Sequence, residues 1–183
     1  DGSSDNLVAP IVVDREVFLV GERTSEVWSD VGGFPFPFSR IPGTSTQHGC
    51  IAPFSLARLG ESFAFLSRDD RGQNIVVMMI GYKPQRISTF GVEYGISNYA
   101  TVSDAIAYSY QQSGHEFYVL NFPTADVTWC YDLATEMWHK RAWRDTNNVL
   151  HRDRGNCAVN FNDDVVVGDW QNGMIYKFDQ TIY

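Results

Sequence analysis

The sequence predicts an all-β protein, a β-propeller built from four-stranded antiparallel blades. Short runs rich in Val, Ile, Phe, Tyr and Trp recur along the 183 residues between clusters of Gly, Asp, Asn and Pro, and helical periodicity is almost absent. These runs form units that repeat about every 50 residues, the period of kelch-type blades. Apolar residues occupy both faces of the strands, as stacking of blades around an axis requires. We expect three complete blades and an unfinished fourth.

The first blade is expected over about residues 7–43. The stretch "IVVDREVFLVGERTSEVW" has an apolar strand, a tight turn at Asp14-Arg15, a second strand opened by Glu16, a polar loop, and a third strand centred on Trp28. The stretch "FPFSRIP" supplies the fourth strand. This order of elements defines the repeat.

The same order recurs in three more segments, which we expect at about residues 53–90, 104–145 and 156–183. Their hairpin turns are Leu59-Gly60, Ser113-Gly114-His115 and Asn162-Asp163, and their acidic openers are Glu61, Glu116 and Asp164. Gly60 and Gly114 are expected to form turns because glycine tolerates positive φ. The third strands centre on Val77, Trp129 and Tyr176, and the spacings from Trp28 onward are 49, 52 and 47 residues. The acidic openers and the centres of the third strands thus repeat independently with nearly the same period.

The stretch "VTWCYDLATEMWHKRAW" (residues 127–143) predicts the third and fourth strands of the third blade. Asp132 is expected to bond the backbone of the following turn, and Trp138 to begin the return strand. The spacing of Tyr131, Asp132, Thr135 and Trp138 resembles the kelch signature, in which a tyrosine and a tryptophan pack between blades. We expect inter-blade packing at five aromatic positions: Trp28, Trp129, Tyr131, Trp138 and Tyr176.

The last predicted blade lacks a fourth strand. Natural β-proteins avoid an open edge, so we expect a single propeller segment over residues 1–183 that is a fragment of a longer chain, or an edge that a partner covers. An up-and-down β-sandwich is the competing architecture, but it has no higher-order period of this kind.

The composition limits the function. The net charge of −8 argues against a general nucleic-acid binder, and no apolar run approaches the roughly 20 residues of a membrane span, so no membrane insertion by this segment is expected. Cys50, Cys130 and Cys157 include no Cys-x-x-Cys pair, which predicts buried thiols made in a reducing compartment.

One segment departs from the acidic average. Residues 139–154 carry five Lys or Arg against two Asp, a local charge of +3. Since arginine beside tryptophan can contact phosphate and stack on bases, the segment is a candidate DNA or partner contact. The alternative is a long polar inter-blade loop that uses arginine for subunit contacts. The candidate contact residues are Lys140, Arg141, Trp143, Arg144, Arg152 and Arg154.

Several stretches together resemble a known family: "GERTSEVW", "FPFSRIPG", "GYKPQRIST", "SDAIAYSYQQSGHEFYVLNFP", "TWCYD" and "VGDWQNGMIY" are similar to the tail-hub, or packaged-DNA-stabilisation, proteins of short-tailed bacteriophages. The resemblance covers about residues 17–178. It implies a virion tail protein, assembled in the cytoplasm of the host bacterium, that closes the tail channel after packaging and retains the DNA, with passive DNA contact.

The resemblance also implies partners. These are other copies in a ring, a homo-hexamer, together with the portal-adaptor ring, a tail needle and tailspikes or fibres. It brings no catalytic residues, and no cofactor or metal is expected.

Two other functions stay open. A kelch-like or lectin-like propeller would bind a glycan or protein through loop aromatics such as Trp143, Trp170 and Phe34. A sialidase-like glycosidase is a remote alternative, because "SRDDRG" has Ser67 and Asp69 of an Asp-box but places Gly72 one residue late and lacks the following tryptophan.

Overall fold

The computed structural model describes residues 4–179, which form sixteen β-strands in four antiparallel sheets, one α-helix and one short 3-10 helix (Pro53–Ser55). The predicted fold class, an all-β propeller of antiparallel blades, is confirmed. We number the sheets blades 1 to 4 in chain order.

Blades 1 and 2 each have four strands, and hydrogen-bonded neighbours follow chain order. Blade 1 contains β1 (Leu7–Val13), β2 (Glu16–Gly21), β3 (Ser25–Asp30) and β4 (Phe38–Arg40). Blade 2 contains β5 (Ala57–Leu59), β6 (Ser62–Arg68), β7 (Asn74–Ile80) and β8 (Lys83–Arg86).

Blades 3 and 4 follow the same up-and-down order but have five and three strands within residues 4–179. Blade 3 contains β9 (Ile106–Gln112), β10 (His115–Phe122), β11 (Val127–Asp132), β12 (Met137–Arg144) and β13 (Leu150–Arg152). Blade 4 contains β14 (Gly155–Phe161), β15 (Asp164–Asp169) and β16 (Ile175–Lys177).

Left-handed backbone occurs in the turn between the first two strands of every blade. The φ angles are +49° and +66° at Asp14 and Arg15, and +61° at Gly60. They are +52° and +82° at Ser113 and Gly114, and +48° and +65° at Asn162 and Asp163. In blades 1, 3 and 4 two successive positive φ values match the right-handed twist of the flanking strands, so these short turns fix the register of their hairpins, whereas the blade 2 turn has one such residue, Gly60.

Apolar cores fill the spaces between successive blades. Phe18 and Val27 meet Phe63 and Phe65 between blades 1 and 2. The core between blades 2 and 3 includes Leu66, Val76, Met78, Tyr118, Leu120, Phe122 and Tyr131, and that between blades 3 and 4 includes Tyr108, Tyr110, Val119, Cys130, Val165 and Val167. The blades are therefore held face to face.

Blade 2 is buried on both faces, which explains why its strands do not alternate cleanly in sequence. In β6, Phe63 and Phe65 face blade 1, whereas Ala64 and Leu66 face blade 3, and all four are fully buried. Successive side chains of a strand point to opposite faces, so a strand with a core on each side becomes a continuous apolar run.

The segment after β12 is not the long polar loop that was one of the two alternatives for residues 139–154. The chain folds back after Arg144 and pairs β13 with β12, with Trp143 opposite His151. Asp145 closes the turn because its Oδ1 accepts hydrogen bonds from the backbone N–H groups of Asn147 (2.9 Å) and Val149 (2.7 Å). Blade 3 therefore extends beyond the predicted limit at residue 145.

The α-helix α1 (Phe90–Ser97) was not predicted. It has only eight residues and two of them are glycine, so its own sequence gives little periodicity and little intrinsic stability. Tertiary contacts fix it instead: Val92 and Ile96 are buried in the core between blades 2 and 3. Glu93 accepts hydrogen bonds from Arg86 and from the Ser88 hydroxyl (2.6 Å).

Within residues 4–179, no helix is long and apolar enough to cross a membrane.

Candidate functional site

The basic segment is distributed over the two faces of blade 3. Lys140 lies opposite Trp129 and shares its face, toward blade 2, whereas Arg141 lies opposite Thr128 on the face toward blade 4. Strand geometry thus separates neighbouring residues of the predicted cluster, because successive side chains point in opposite directions.

Arg141 is held among aromatic rings. Its guanidinium carbon lies 5.0 Å from the ring centre of Phe117 and 5.2 Å from that of Tyr110, and it donates a hydrogen bond to the Tyr110 hydroxyl. The Phe178 ring is 6.0 Å away on blade 4. Burial raises the pKa of Tyr110 to about 12 even though Arg141 lies against it. Arg141 therefore joins blades 3 and 4, because its guanidinium contacts aromatic rings of both blades.

Trp143, Arg152 and Arg154 form a second group of such contacts. The guanidinium of Arg154 lies 4.4 Å from the ring centre of Trp143, and that of Arg152 lies 4.1 Å from the ring centre of Trp170 in blade 4. Arg154 also forms an ion pair with Asp169 at 3.5 Å, and Arg152 is only 6% exposed.

His151 connects this group to two turns. Its Nδ1 is 2.7 Å from Asp126 Oδ2, its Nε2 is 3.6 Å from Asp145 Oδ2, and its ring lies 5.2 Å from that of Trp143. The hydrogen bond to Asp126 and the nearby charge of both carboxylates raise the pKa of His151.

The six candidate contact residues therefore do not form one basic surface. Lys140 and Arg144 are exposed, and Arg144 binds Asn148 in its own turn (2.8 Å). Arg141, Trp143 and Arg152 are held in contacts within the protein, and Arg154, whose side chain is 39% exposed, contacts Trp143 and Asp169. Contact of individual residues among the six with DNA or a partner stays a prediction. Guanidinium groups that are partly removed from water are stabilised by aromatic faces and carboxylates, which the fold supplies here.

Three of the predicted packing aromatics lie between blades 2 and 3. Tyr131 is buried in that core and its ring is 5.1 Å from Trp138. The indole N–H of Trp138 donates to the Ile87 carbonyl (2.8 Å), and that of Trp129 to the Tyr99 hydroxyl (3.0 Å). Both acceptors lie in the connection between the two blades.

Trp28 and Tyr176 are not part of the described cores between successive blades. Trp28 contacts Phe36 and Glu26 within blade 1, because its neighbour Val27 faces blade 2 and Trp28 must face away. Tyr176 lies opposite Val167 but is 44% exposed and lines a cavity of about 280 Å³. Inter-blade packing of these two residues stays a prediction.

Asp132 organises the turn between β11 and β12. Its Oδ1 accepts a hydrogen bond from the Ala134 N–H (3.0 Å), and its Oδ2 accepts one from the Thr135 hydroxyl (2.7 Å) and lies 2.8 Å from His115 Nδ1. Burial by itself would raise the pKa of Asp132, but these hydrogen bonds outweigh it and lower the pKa.

A repeated polar position was missed in the sequence. Each blade's first strand is preceded, two residues earlier, by a residue that fixes its start, and these are Asp5, Ser55, Asp104 and Asp153. Asp5 accepts from the Thr24 N–H (2.8 Å), Ser55 from the Leu66 N–H (3.0 Å) and Asp104 from the Thr124 N–H (2.7 Å). The spacing of 50, 49 and 49 residues was a usable signal, but the change from Asp to Ser obscures it.

The candidate Asp-box is a structural turn. Asp69 Oδ1 accepts hydrogen bonds from the N–H groups of Arg71 (2.9 Å) and Gln73 (2.8 Å). Among residues 4–179, no three His, Cys, Asp or Glu side chains converge in a way that could hold a metal ion.

The comparisons with known proteins agree with this architecture. The family described as "Bacteriophage P22 Gp10, beta-propeller", a phage stabilisation family, matches residues 1–183. A comparison with curated proteins gives no match. A family of phage structural proteins implies a virion component and suggests a non-enzymatic role. With four antiparallel blades over the matched length, the chain belongs to the phage stabilisation family of bacteriophage P22 Gp10-like β-propeller proteins.

Proposed function

We propose that this protein is a tail-hub component of a short-tailed phage, which closes the tail channel and retains packaged DNA. Family membership over the whole chain is the observation that carries the proposal. In this role the protein sits beneath the portal and its adaptor ring as a ring of copies, a homo-hexamer. It is assembled in the cytoplasm of the host bacterium.

The contacts between blades support a mechanical role. Each pair of successive blades shares an apolar core, and Arg141 and Arg152 add cation–π contacts between blades 3 and 4. Interiors packed to this extent resist deformation, which suits a plug that holds DNA under pressure. The protein then works through its interfaces, and no step of chemistry is needed.

Contact with DNA is passive in this proposal. The net charge of −8 repels a polyanion, and Lys140 and Arg144 are the exposed cations of residues 139–154. The hub therefore blocks the exit of DNA without binding it tightly. When the channel opens, no tight protein–DNA complex has to dissociate. The same hub docks the tail needle and the tailspikes or fibres through its outer loops.

Particles made without this protein test the proposal. We expect them to package DNA and then lose it, so that encapsidated DNA becomes sensitive to nuclease, and supplying the chain before DNA loss should restore protection. Cryo-electron microscopy should place the chain on the portal–tail axis. Nuclease-resistant particles in its absence, or density elsewhere in the particle, would contradict the proposal.

A further inference from the structure

The connection between β3 and β4 presents an exposed apolar tip. Phe34 is 100% exposed, Phe36 62% and Val31 61% in the stretch "DVGGFPFPF". Contiguous exposed apolar side chains mark interaction sites, unlike scattered single ones, and aromatic anchors dominate the energy of many protein interfaces.

The tip is held in place before any partner arrives. The Val31 N–H donates to the Pro37 carbonyl (2.7 Å), and the Gly32 N–H donates to Asp30 Oδ1 (2.9 Å). The Phe36 ring rests against Trp28 at 6.2 Å. A preorganised loop loses little conformational entropy on binding, so Phe34 can act as a fixed knob.

The charge around the knob selects the kind of partner. Residues 30–39 contain no Lys or Arg and one Asp, in a chain of net charge −8. Anionic lipid surfaces and nucleic acids recruit basic segments, so neither fits this loop. An apolar cavity in a protein fits this uncharged, aromatic loop.

Such a cavity is present on blade 4 of the same chain. It has a volume of about 280 Å³ and is lined by Gly155, Val167, Tyr176 and Phe178, with the Arg154–Asp169 ion pair at its wall. A cavity of about 150 Å³ is enough to hold a benzene ring. The space therefore accepts a phenyl group.

The knob lies on blade 1, and the cavity lies on the side of blade 4 that faces blade 3. The described cores join blade 1 to 2, 2 to 3 and 3 to 4, so the two features are separated by two blades within one chain. We propose that Phe34 of one copy enters the blade 4 cavity of the next copy. Because the two surfaces differ, the contact is head-to-tail and builds a ring when the rotation closes. The inference rests on the proposed function and gives its ring a specific contact.

Disulfide trapping tests the contact directly. Two variants are made in a Cys157→Ser background, one carrying Phe34→Cys and the other Tyr176→Cys, and they are mixed under mild oxidation. The mixture should give at least about tenfold more disulfide-linked dimer than either variant alone. The matched control replaces Phe34→Cys by Phe54→Cys, since Phe54 is also exposed (72%) but lies in the linker between blades 1 and 2. Equal yields in the control mixture, or from Phe34→Cys alone, would overturn the head-to-tail contact.

Sedimentation of the purified chain gives a second readout. Phe34→Ser should weaken self-association by at least about tenfold, while Phe90→Ser, at a residue that is 83% exposed on α1, should leave it unchanged. Because both side chains are exposed, neither change should unfold the protein, which circular dichroism checks. Unchanged association of Phe34→Ser would refute the contact.

Particles separate this inference from the proposed function. If Phe34→Ser chains still occupy the tail as an intact ring, the knob contact fails and the hub assignment stands. If wild-type chains are absent from the tail, the hub assignment fails whatever the trapping yields.

Discussion

At the scale of single residues, arginine has a structural role that its charge does not reveal. Arg141, Arg152 and Arg154 lie over aromatic rings at 4.1 to 5.2 Å, and Arg152 is almost completely buried. In sequence, the same residues form a basic run that indicates a nucleic-acid contact. Which reading applies depends on the aromatic residues that other strands bring to the guanidinium groups.

Replacement of Arg141 should show this role. Arg141→Met keeps much of the side-chain volume but removes the cation and the hydrogen bond to Tyr110, so we expect unfolding free energy to fall by about 1–2 kcal/mol in urea titrations. Lys83→Met, at an exposed lysine of β8, should change it by less than about 0.5 kcal/mol. Equal effects for the two variants would argue against the internal role of Arg141.

His151 should make the β12–β13 hairpin sensitive to pH. Its pKa is raised in the folded protein by Asp126 and Asp145, so its protonated form stabilises the hairpin fully below the ordinary histidine pKa of about 6.5. That contribution is lost as pH rises through the raised pKa. Hydrogen exchange at residues 150–152, corrected for intrinsic rates, should therefore accelerate in that window.

The His151→Gln variant provides the control for this pH dependence. Glutamine can keep one hydrogen bond to Asp126 but cannot be protonated, so exchange at residues 150–152 should become independent of pH across the window. A pH dependence that persists in the variant would place its origin elsewhere, for example in His139, whose pKa is lowered by burial and by Arg141.

At the scale of elements, close packing at the start of blade 4 determines which residue occupies position 155, although glycine has a low strand propensity. A Cβ at Gly155 would lie 2.4 Å from the Tyr108 hydroxyl and 2.8 Å from Val167 Cγ1. The side chain is absent because β14 approaches β9 at this point, where blades 3 and 4 meet. The four residues that precede the first strands, Asp5, Ser55, Asp104 and Asp153, fix the start of each blade by hydrogen bonding within it.

Glycine substitutions should distinguish a glycine required by close packing from one that only lowers helix propensity. Gly155→Ala should lower the unfolding free energy by about 1–3 kcal/mol through overpacking. Gly91→Ala, in α1, should raise it by up to about 1 kcal/mol because alanine favours helix and the added Cβ meets no atom within 4 Å beyond its chain neighbours and the backbone of its own helix. Thermal or urea unfolding of both variants gives the comparison, and destabilisation by Gly91→Ala would contradict it.

At the scale of the whole molecule, blade 2 couples its neighbours because it belongs to two cores. Phe65 faces blade 1 and Leu66 faces blade 3, and both are fully buried. Loss of the Phe65 side chain weakens the interface with blade 1, and loss of the Leu66 side chain weakens the interface with blade 3. Both residues lie on β6, so this one strand links the two interfaces. The four blades should accordingly respond as one cooperative unit.

Truncation of Phe65 tests this coupling. Phe65→Ala should lower the unfolding free energy by about 3–5 kcal/mol, with one transition and an unchanged denaturant slope when tryptophan fluorescence and circular dichroism are compared. Phe54→Ala, at an exposed position, should have little effect. Separate transitions for the two probes would show that the blades unfold independently.

The sequence by itself determined the fold class, the period and the hairpin turns, because these depend on local properties. The alternation of apolar runs with turn residues, and the tolerance of Gly60 and Gly114 for positive φ, act over a few neighbouring positions. Family membership could also be recognised from short stretches spread along the chain.

Only the tertiary structure decided α1, the fifth strand of blade 3 and the fate of the basic segment. Helix α1 is stabilised by its burial between blades 2 and 3, and Trp28 faces away from blade 2 because Val27 faces toward it. Arg152 is buried against the ring of Trp170, which lies eighteen residues later on another blade, and so does not present its charge at the surface. Contacts between distant segments determine these outcomes, and a local pattern does not specify which segments will meet.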